Sequence, residues 1–154
     1  MRFPKALAAL LAVGGVLVAA RPQQKPMKQF LNPDGVQRPV HGYTSVVTSA
    51  PGRMIFISGQ GGATADGKLP EDFTSQATNT FENLGRCLNA AGAKYDDIVK
   101  INYYLTDIHN LAELRRIRAR YLNQLAPPAS TIVQAGLGEK GTLLEAEAIA
   151  VIPE

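Results

Sequence analysis

The chain has few of the side chains from which catalytic and metal centres are most often built. Its 154 residues include one cysteine, Cys87, and two histidines, His41 and His109, which fall in separate predicted elements. A single cysteine excludes an intramolecular disulfide, and its place on an apolar helical face indicates a buried, inert thiol rather than a nucleophile. No CxxC or HxxxH pair, no GxSxG turn and no dinucleotide or phosphate-loop fingerprint occurs. We therefore expect no metal and no other cofactor.

The chain also has little net charge once its first 20 residues are set aside. It contains 16 Lys and Arg residues against 13 Asp and Glu, but Arg2 and Lys5 belong to the N-terminal segment, which leaves 14 basic against 13 acidic residues. Such a balance provides no electrostatic footprint for nucleic acid or for an anionic membrane surface. We therefore expect neither as a partner.

The only long apolar run lies at the N-terminus. Met1–Ala20 combines a positive start with the apolar stretch Ala6–Ala20, which is too short to cross a bilayer comfortably. This pattern predicts a signal peptide cleaved before Arg21, and hence a secreted or periplasmic protein with no stable membrane insertion; an uncleaved anchor is the alternative. Residues 21–39, rich in Pro, Gln and Lys, are predicted to be a flexible segment, and residues 40–154 to be one domain.

The remaining pattern alternates strands and helices. Asp72 is predicted to cap the first helix and Gly92 to end it, and Asp107 to cap the second. The first two strands are expected to form a hairpin. The order is β-β-α-β-α-β-β, an α+β domain whose helices cover one face of a mixed sheet, with self-association expected to cover the other. The predicted elements are strands Val40–Ser49 and Met54–Ile57, helix Phe73–Ala91, strand Asp96–Leu105, helix Ile108–Leu125, and strands Thr131–Ala135 and Leu143–Val151.

Two carboxylates stand out in the last predicted strand. Glu145 and Glu147 are two residues apart and therefore share one face, while Leu144, Ala146 and Ala148 occupy the other. The pair either faces water or places at least one acid in a pocket, because a buried unpaired carboxylate is costly.

Other polar residues at strand ends could complete such a pocket. A carboxylate beside backbone amides and a hydroxyl can bind a small polar molecule or activate water. The candidates are Tyr43, Ser58, Gly59, Gln60, Ser130 and Glu145.

Four arginines crowd the second predicted helix. Arg115 and Arg118 lie on one side of it, and Arg116 and Arg120 on another. Because no aromatic residues interleave with them to stack on bases, a solvated face is favoured over an RNA-binding stripe.

Several stretches, in order and at matching spacing, resemble the RidA/YjgF family of imine and enamine deaminases, also called L-PSP endoribonucleases. They are FISGQ at 56–60, the helix at 72–92, DDIVKINYYLTD at 96–107, and PAST…LLEAEAIAV at 128–151. The resemblance implies a chorismate-mutase-like α+β fold, a homotrimer, and a small-metabolite cleft at each subunit interface. In deaminating members a glutamate positions or protonates the substrate while water attacks the imine carbon.

The family's functional positions carry over with one conspicuous exception. Tyr43, Gly59 and Glu145 match the pocket tyrosine, glycine and glutamate, and Arg118 stands where an asparagine is common. Ser130 replaces the arginine that pairs with the substrate carboxylate. Losing that bidentate contact costs on the order of 2–5 kcal/mol when the partner charge is buried, so we expect weak or absent deamination of 2-imino acids.

Two other functions are compatible with the same fold. A non-catalytic module that binds a small metabolite or a protein would keep the pocket without turnover. The ribonuclease activity in the family label is disfavoured by the near-neutral charge and by the absence of a histidine pair.

Overall fold

The computed structural model of the protein describes residues 27–154. The predicted signal peptide, Met1–Ala20, lies outside these residues, as do the first six positions of the segment predicted to be flexible. Within residues 27–154, neither helix is both long and apolar enough to cross a membrane. Export and cleavage therefore stay predictions.

The fold is α+β, as predicted, and residues 27–154 form two sheets and two α-helices. The elements are β1 Lys28–Leu31, β2 Val46–Ser49, β3 Gly52–Gln60, α1 Phe73–Ala90, β4 Ile98–Leu105, α2 Leu111–Arg118, β5 Ala129–Gln134 and β6 Leu144–Pro153, with short 3-10 turns at Tyr95–Asp97 and Ile108–Asn110. A four-stranded sheet has the order β3-β6-β4-β5, in which only β4 and β5 run parallel, and a separate two-stranded sheet joins β1 and β2.

The predicted hairpin between the first two strands is wrong. Strand β2 pairs with β1, with Lys28 opposite Ser49, and β3 pairs instead with β6. Part of the segment predicted to be flexible is thus a strand. A local pattern of β-branched residues identifies strands without identifying their partners, and β3 is selected for β6 because Ile55 and Ile57 enter the core beside its alanines.

Helix α1 matches its prediction closely. The Asp72 carboxylate accepts a hydrogen bond from the Ser75 backbone amide at 2.8 Å, and Gly92 adopts a φ of 71° just beyond the last turn. Its stripe of Ala77, Phe81, Leu84 and Leu88 is fully buried, and the helix packs on β3 and β6. Cys87, half-buried, packs against this core.

Helix α2 is shorter than the predicted Ile108–Leu125. Asp107 caps a 3-10 turn, as its Oδ1 accepts from the His109 amide at 2.9 Å, and the α-helix begins only at Leu111. Beyond Arg118 the chain turns, and Tyr121 stacks on the buried Phe81 ring with centroids 4.9 Å apart. Helical periodicity alone predicts that the helix continues past Arg118, but aromatic packing of Tyr121 in the core favours a turn there instead.

The four-stranded sheet has one covered and one open face. Ile101 and Tyr103 of β4 and the alanines of β6 are buried on the covered face. On the open face Phe56 is 71% exposed and Met54 is 56% exposed. The prediction that the helices cover only one face is confirmed for the described chain.

Candidate functional site

A β-bulge marks the end of β3. Ile57 lies opposite Ala148 and Gln60 opposite Ala146, so β3 carries one residue more than β6 between these pairs. The additional length falls at Ser58 and Gly59, and the Gln60 side-chain amide donates to both of their carbonyl oxygens at 3.0 and 3.2 Å. The SGQ sequence is therefore an irregularity of the strand, stabilised by its own glutamine.

Glu145 lies directly against this bulge. A Cβ atom built on Gly59 would stand 1.8 Å from Glu145 Oε1 and 2.6 Å from its Cδ. Only a residue without a side chain leaves that space to the carboxylate. Among residues 27–154, no donor forms a hydrogen bond or ion pair with the Glu145 carboxylate. It is thus placed beside exposed backbone and is available to contact a ligand.

Glu147 differs from its neighbour on the same face. Its Oε1 accepts hydrogen bonds from Asn102 Nδ2 at 2.8 Å and from the Tyr104 hydroxyl at 2.7 Å. These bonds, the one from Asn102 first, hold the pKa of Glu147 below its usual value, and the same contact raises the pKa of Tyr104. Glu147 borders a cleft of about 280 Å³ together with Phe56, Ser58, Lys100 and Ile149, among others. Of the two acids, Glu147 is a paired structural group and Glu145 is the available one.

A second cleft, of about 190 Å³, lies between β5, α2 and the loop before β2. Two hydrogen bonds anchor this loop, because Thr44 donates from its hydroxyl to Pro127 O at 2.6 Å and from its amide to Pro128 O at 3.3 Å. The cleft is lined by His41, Tyr43, Arg115, Arg118, Ser130 and Ile132. The structure therefore brings Tyr43, Ser130 and Arg118 to one cleft, although the sequence did not show where Arg118 points.

Arg118 is not the solvated side chain that the helix pattern predicted. It is 4% exposed, donates a hydrogen bond to the His41 carbonyl, and places its guanidinium 5.8 Å from the centroid of the Tyr103 ring. Burial raises the pKa of the Tyr103 phenol, and the adjacent guanidinium opposes that shift. Gly42 has a φ of 64°, and a Cβ there would lie 3.4 Å from Arg118 Nη2, so the loop turns tightly over the arginine.

Arg115 is a site residue that the sequence prediction missed. Its side chain lines the same cleft, and its Nε is buried without a hydrogen-bond partner among residues 27–154. The i,i+3 spacing with Arg118 already placed both on one side of α2, but the sequence does not say that this side meets β5. Arg116 and Arg120, on the other side, are exposed as predicted.

The two groups of predicted site residues lie on opposite faces of the sheet. Ser130 pairs with Ile101 on the covered face, whereas Glu145 pairs with Tyr104 on the open face. Tyr43, Arg118 and Ser130 therefore form one half-site, and Ser58, Gly59 and Glu145 form another. A single chain does not join them into one pocket. Within residues 27–154, His, Cys, Asp and Glu side chains form no cluster of three or more that could hold a metal.

Known proteins are similar to this chain in fold and in sequence. The model of the family described as Endoribonuclease L-PSP matches residues 35–152. A Rid family protein of Yersinia pestis, YyfB, is 31% identical with a TM-score of 0.71, covering 82% of this chain and 100% of its own. RidA of the Antarctic bacterium Psychrobacter is 33% identical with a TM-score of 0.62, covering 80% and 99%.

A third relative is TdcF of Escherichia coli, solved with bound serine. It is 29% identical in the structural comparison with a TM-score of 0.61, covering 78% of this chain and 92% of its own. In sequence it is 33% identical over 103 residues, 65% of this chain and 80% of TdcF, and it is named provisionally as a reactive intermediate deaminase. With these matches and the α+β fold, the chain belongs to the Endoribonuclease L-PSP family, that is, the RidA/YjgF family.

Proposed function

We propose that this protein is a homotrimer that binds a small metabolite between its subunits and hydrolyses imines or enamines, with weak activity toward 2-imino acids. The observation that carries the proposal is the division of the site. Ser130 and Tyr43 lie on one face of the sheet and Glu145 on the other, so a complete pocket needs the half-sites of two copies.

The open face of the sheet provides a reason for self-association. Phe56 and Met54 expose large apolar side chains on it, and Ile149 of the adjacent strand is only half-buried. Burying such residues between copies is favourable by about 25 cal/mol per Å² of apolar surface. A copy seated on this face would also approach Gly59 and Glu145, which lie at its edge.

The chemistry assigned to Glu145 is proton transfer during hydrolysis. Water adds to the carbon of the protonated C=N bond while the carboxylate takes a proton from that water, which gives a neutral carbinolamine. Glu145 then returns the proton to the nitrogen, and ammonia leaves as the hydroxyl group gives its proton to Glu145 and the C=O bond forms. Gly59 has no side chain to crowd this carboxylate, and no donor among residues 27–154 binds it, so it is available for these proton transfers.

Ser130 is the reason to expect weak activity toward 2-imino acids. Its hydroxyl can offer one neutral hydrogen bond, whereas an arginine at this position would form two charged ones with a carboxylate. The relatives support the reaction class, since TdcF is named provisionally as a reactive intermediate deaminase and was solved with serine. A non-catalytic metabolite-binding module is the alternative that the missing arginine favours.

The test is release of keto acid from 2-imino acids that an amino-acid oxidase generates in place. We expect residues 21–154 to accelerate hydrolysis slightly above the spontaneous rate, Ser130→Arg to accelerate it further, and Glu145→Gln to abolish the acceleration. Glu147→Gln is the matched control, because its amide oxygen still accepts from Asn102 and Tyr104. Activity that survives Glu145→Gln contradicts the mechanism; no turnover by wild type or Ser130→Arg, with a metabolite bound, establishes the non-catalytic alternative.

The oligomer is tested separately by light scattering coupled to size exclusion. Wild type should elute as a trimer at micromolar concentration, and Phe56→Asp should elute as a folded monomer without hydrolytic activity. Leu125→Asp, at a position 98% exposed in the loop between α2 and β5, should stay trimeric. A wild-type monomer, or a trimeric Phe56→Asp variant, would remove the basis for a pocket between subunits.

A further inference from the structure

We infer that Arg115 and Arg118 form an oxyanion-binding subsite on helix α2, which takes the place of the arginine absent at position 130. Its ligand is a small molecule that bears a phosphate or carboxylate group. The inference rests on the proposed small-molecule pocket and assigns the chemistry of one end of it.

Arg118 is buried and Arg115 is partly buried, and neither has a counter-charge among the described residues. Arg118 is 4% exposed, and Arg115 Nε is buried with no hydrogen-bond partner in the described part of the chain. Among residues 27–154, no carboxylate lies within 4.0 Å of either guanidinium. A guanidinium does not deprotonate in proteins, and a buried charge without a partner is costly. An anion supplied from outside the chain would remove that cost.

The exposed arginines of the helices show the contrast. Arg116, on the other side of α2, is bound to Glu113 by two contacts of 2.6 and 2.8 Å, and Arg86 of α1 forms an ion pair with Glu82 at 3.3 Å. Both of these arginines thus have an acidic partner, whereas no acidic residue lines the cleft. The cleft therefore presents positive charge without a counter-charge from the described residues, at a place that a ligand can enter.

The geometry prepares this pair for an oxyanion. The His41 carbonyl and the Tyr103 ring hold the Arg118 guanidinium in place, so little side-chain freedom remains to be lost on binding. Residues three apart on a helix are neighbours, so two guanidinium groups can approach the same anion from one side. The hydroxyls of Tyr43 and Ser130 border the same cleft and can donate further hydrogen bonds.

The volume and charge limit the group that binds. A cleft of about 190 Å³ is small for a complete ligand site but sufficient for one anionic group and a few carbon atoms. Two uncompensated positive charges favour a dianion over a monoanion. Phosphate should therefore bind more tightly than acetate at pH 8.

The experiment is a titration of the full-length protein, or of residues 21–154, with inorganic phosphate and, in a second arm, acetate. Nitrogen-15 spectra of the arginine side chains report binding, because the free Nε–H of Arg115 should shift on contact. Arg115→Gln and Arg118→Gln should each weaken phosphate binding roughly 10- to 100-fold, since each removes charge-assisted hydrogen bonds. Arg116→Gln removes the same charge from the same helix outside the cleft and should leave the affinity within about twofold.

The outcomes separate the subsite from nonspecific attraction and from the proposed reaction. Non-saturable binding, or equal weakening by Arg116→Gln, overturns the inference; tighter binding of acetate than phosphate would identify a carboxylate as the preferred group and leaves the subsite in place. If Arg118→Gln does not fold, Arg115→Gln decides. Phosphate binding without imine hydrolysis would refute the proposed reaction and support the subsite. Hydrolysis that Arg115→Gln leaves unchanged, in a protein that binds no phosphate, would support the reaction and refute the subsite.

Discussion

Replacing Gln76 by methionine should destabilise the protein severely, although the two side chains have nearly the same length. Gln76 is fully buried in α1 and ties three backbone segments together. Its Nε2 donates to Pro70 O at 2.7 Å and to Gly141 O at 2.9 Å, and its Oε1 accepts from the Leu143 amide at 2.8 Å. The last contact holds the chain immediately before β6, and therefore the position of Glu145.

The magnitude follows from these three hydrogen bonds. Each contributes about 1 kcal/mol net, and the partners left buried without a hydrogen bond add a desolvation cost, so Gln76→Met should lower the free energy of unfolding by at least about 3 kcal/mol. The assay is urea unfolding followed by circular dichroism at one fixed protein concentration, because self-association would itself contribute to stability. Gln37→Met, at an exposed position, is the control and should change the free energy by less than about 0.5 kcal/mol. A loss below about 1 kcal/mol for Gln76→Met would refute this account of the network.

Two further predictions concern Gly59 and the pH dependence of stability. Gly59→Ala should displace the Glu145 carboxylate and reduce imine hydrolysis at least about tenfold. Stability should change little, since the clashing atom is the end of a flexible side chain, and the control Gly136→Ala, where a Cβ meets nothing within 4 Å, should change neither activity nor stability. Equal activity of the two variants would contradict the placement of Glu145. Hydrogen bonds from Arg116, and then from Thr74, hold the pKa of Glu113 at about 2 instead of 4.5. Because this folded-state pKa is lowered, Glu113 should stabilise the fold above about pH 4.5 and lose that contribution as the pH falls toward 2; in Glu113→Gln the acid-induced loss measured by thermal unfolding should be smaller.

Short-range sequence patterns predicted the features of this fold that depend on residues close together along the chain. The Asp72 cap, the stripe of α1 and the left-handed Gly92 depend on residues within a few positions of one another, and the structure confirms all three. The shared face of Glu145 and Glu147 follows from the two-residue repeat of a strand in the same way. The sequence pattern did not distinguish between the two acids. That difference arises because Asn102 and Tyr104 of β4 lie beside Glu147, more than forty residues away along the chain.

The sequence by itself determined the α+β class and the family, because periodicity and short motifs are local properties. Only the tertiary structure decided that β2 pairs with β1, that one side of α2 meets β5, and that Ser130 and Glu145 face opposite sides of one sheet. Each of these depends on the choice of a distant partner, which is made by burial and hydrogen bonding of the whole chain. For that reason Arg115 and Arg118, which the helix pattern predicted to face solvent, line a cleft instead.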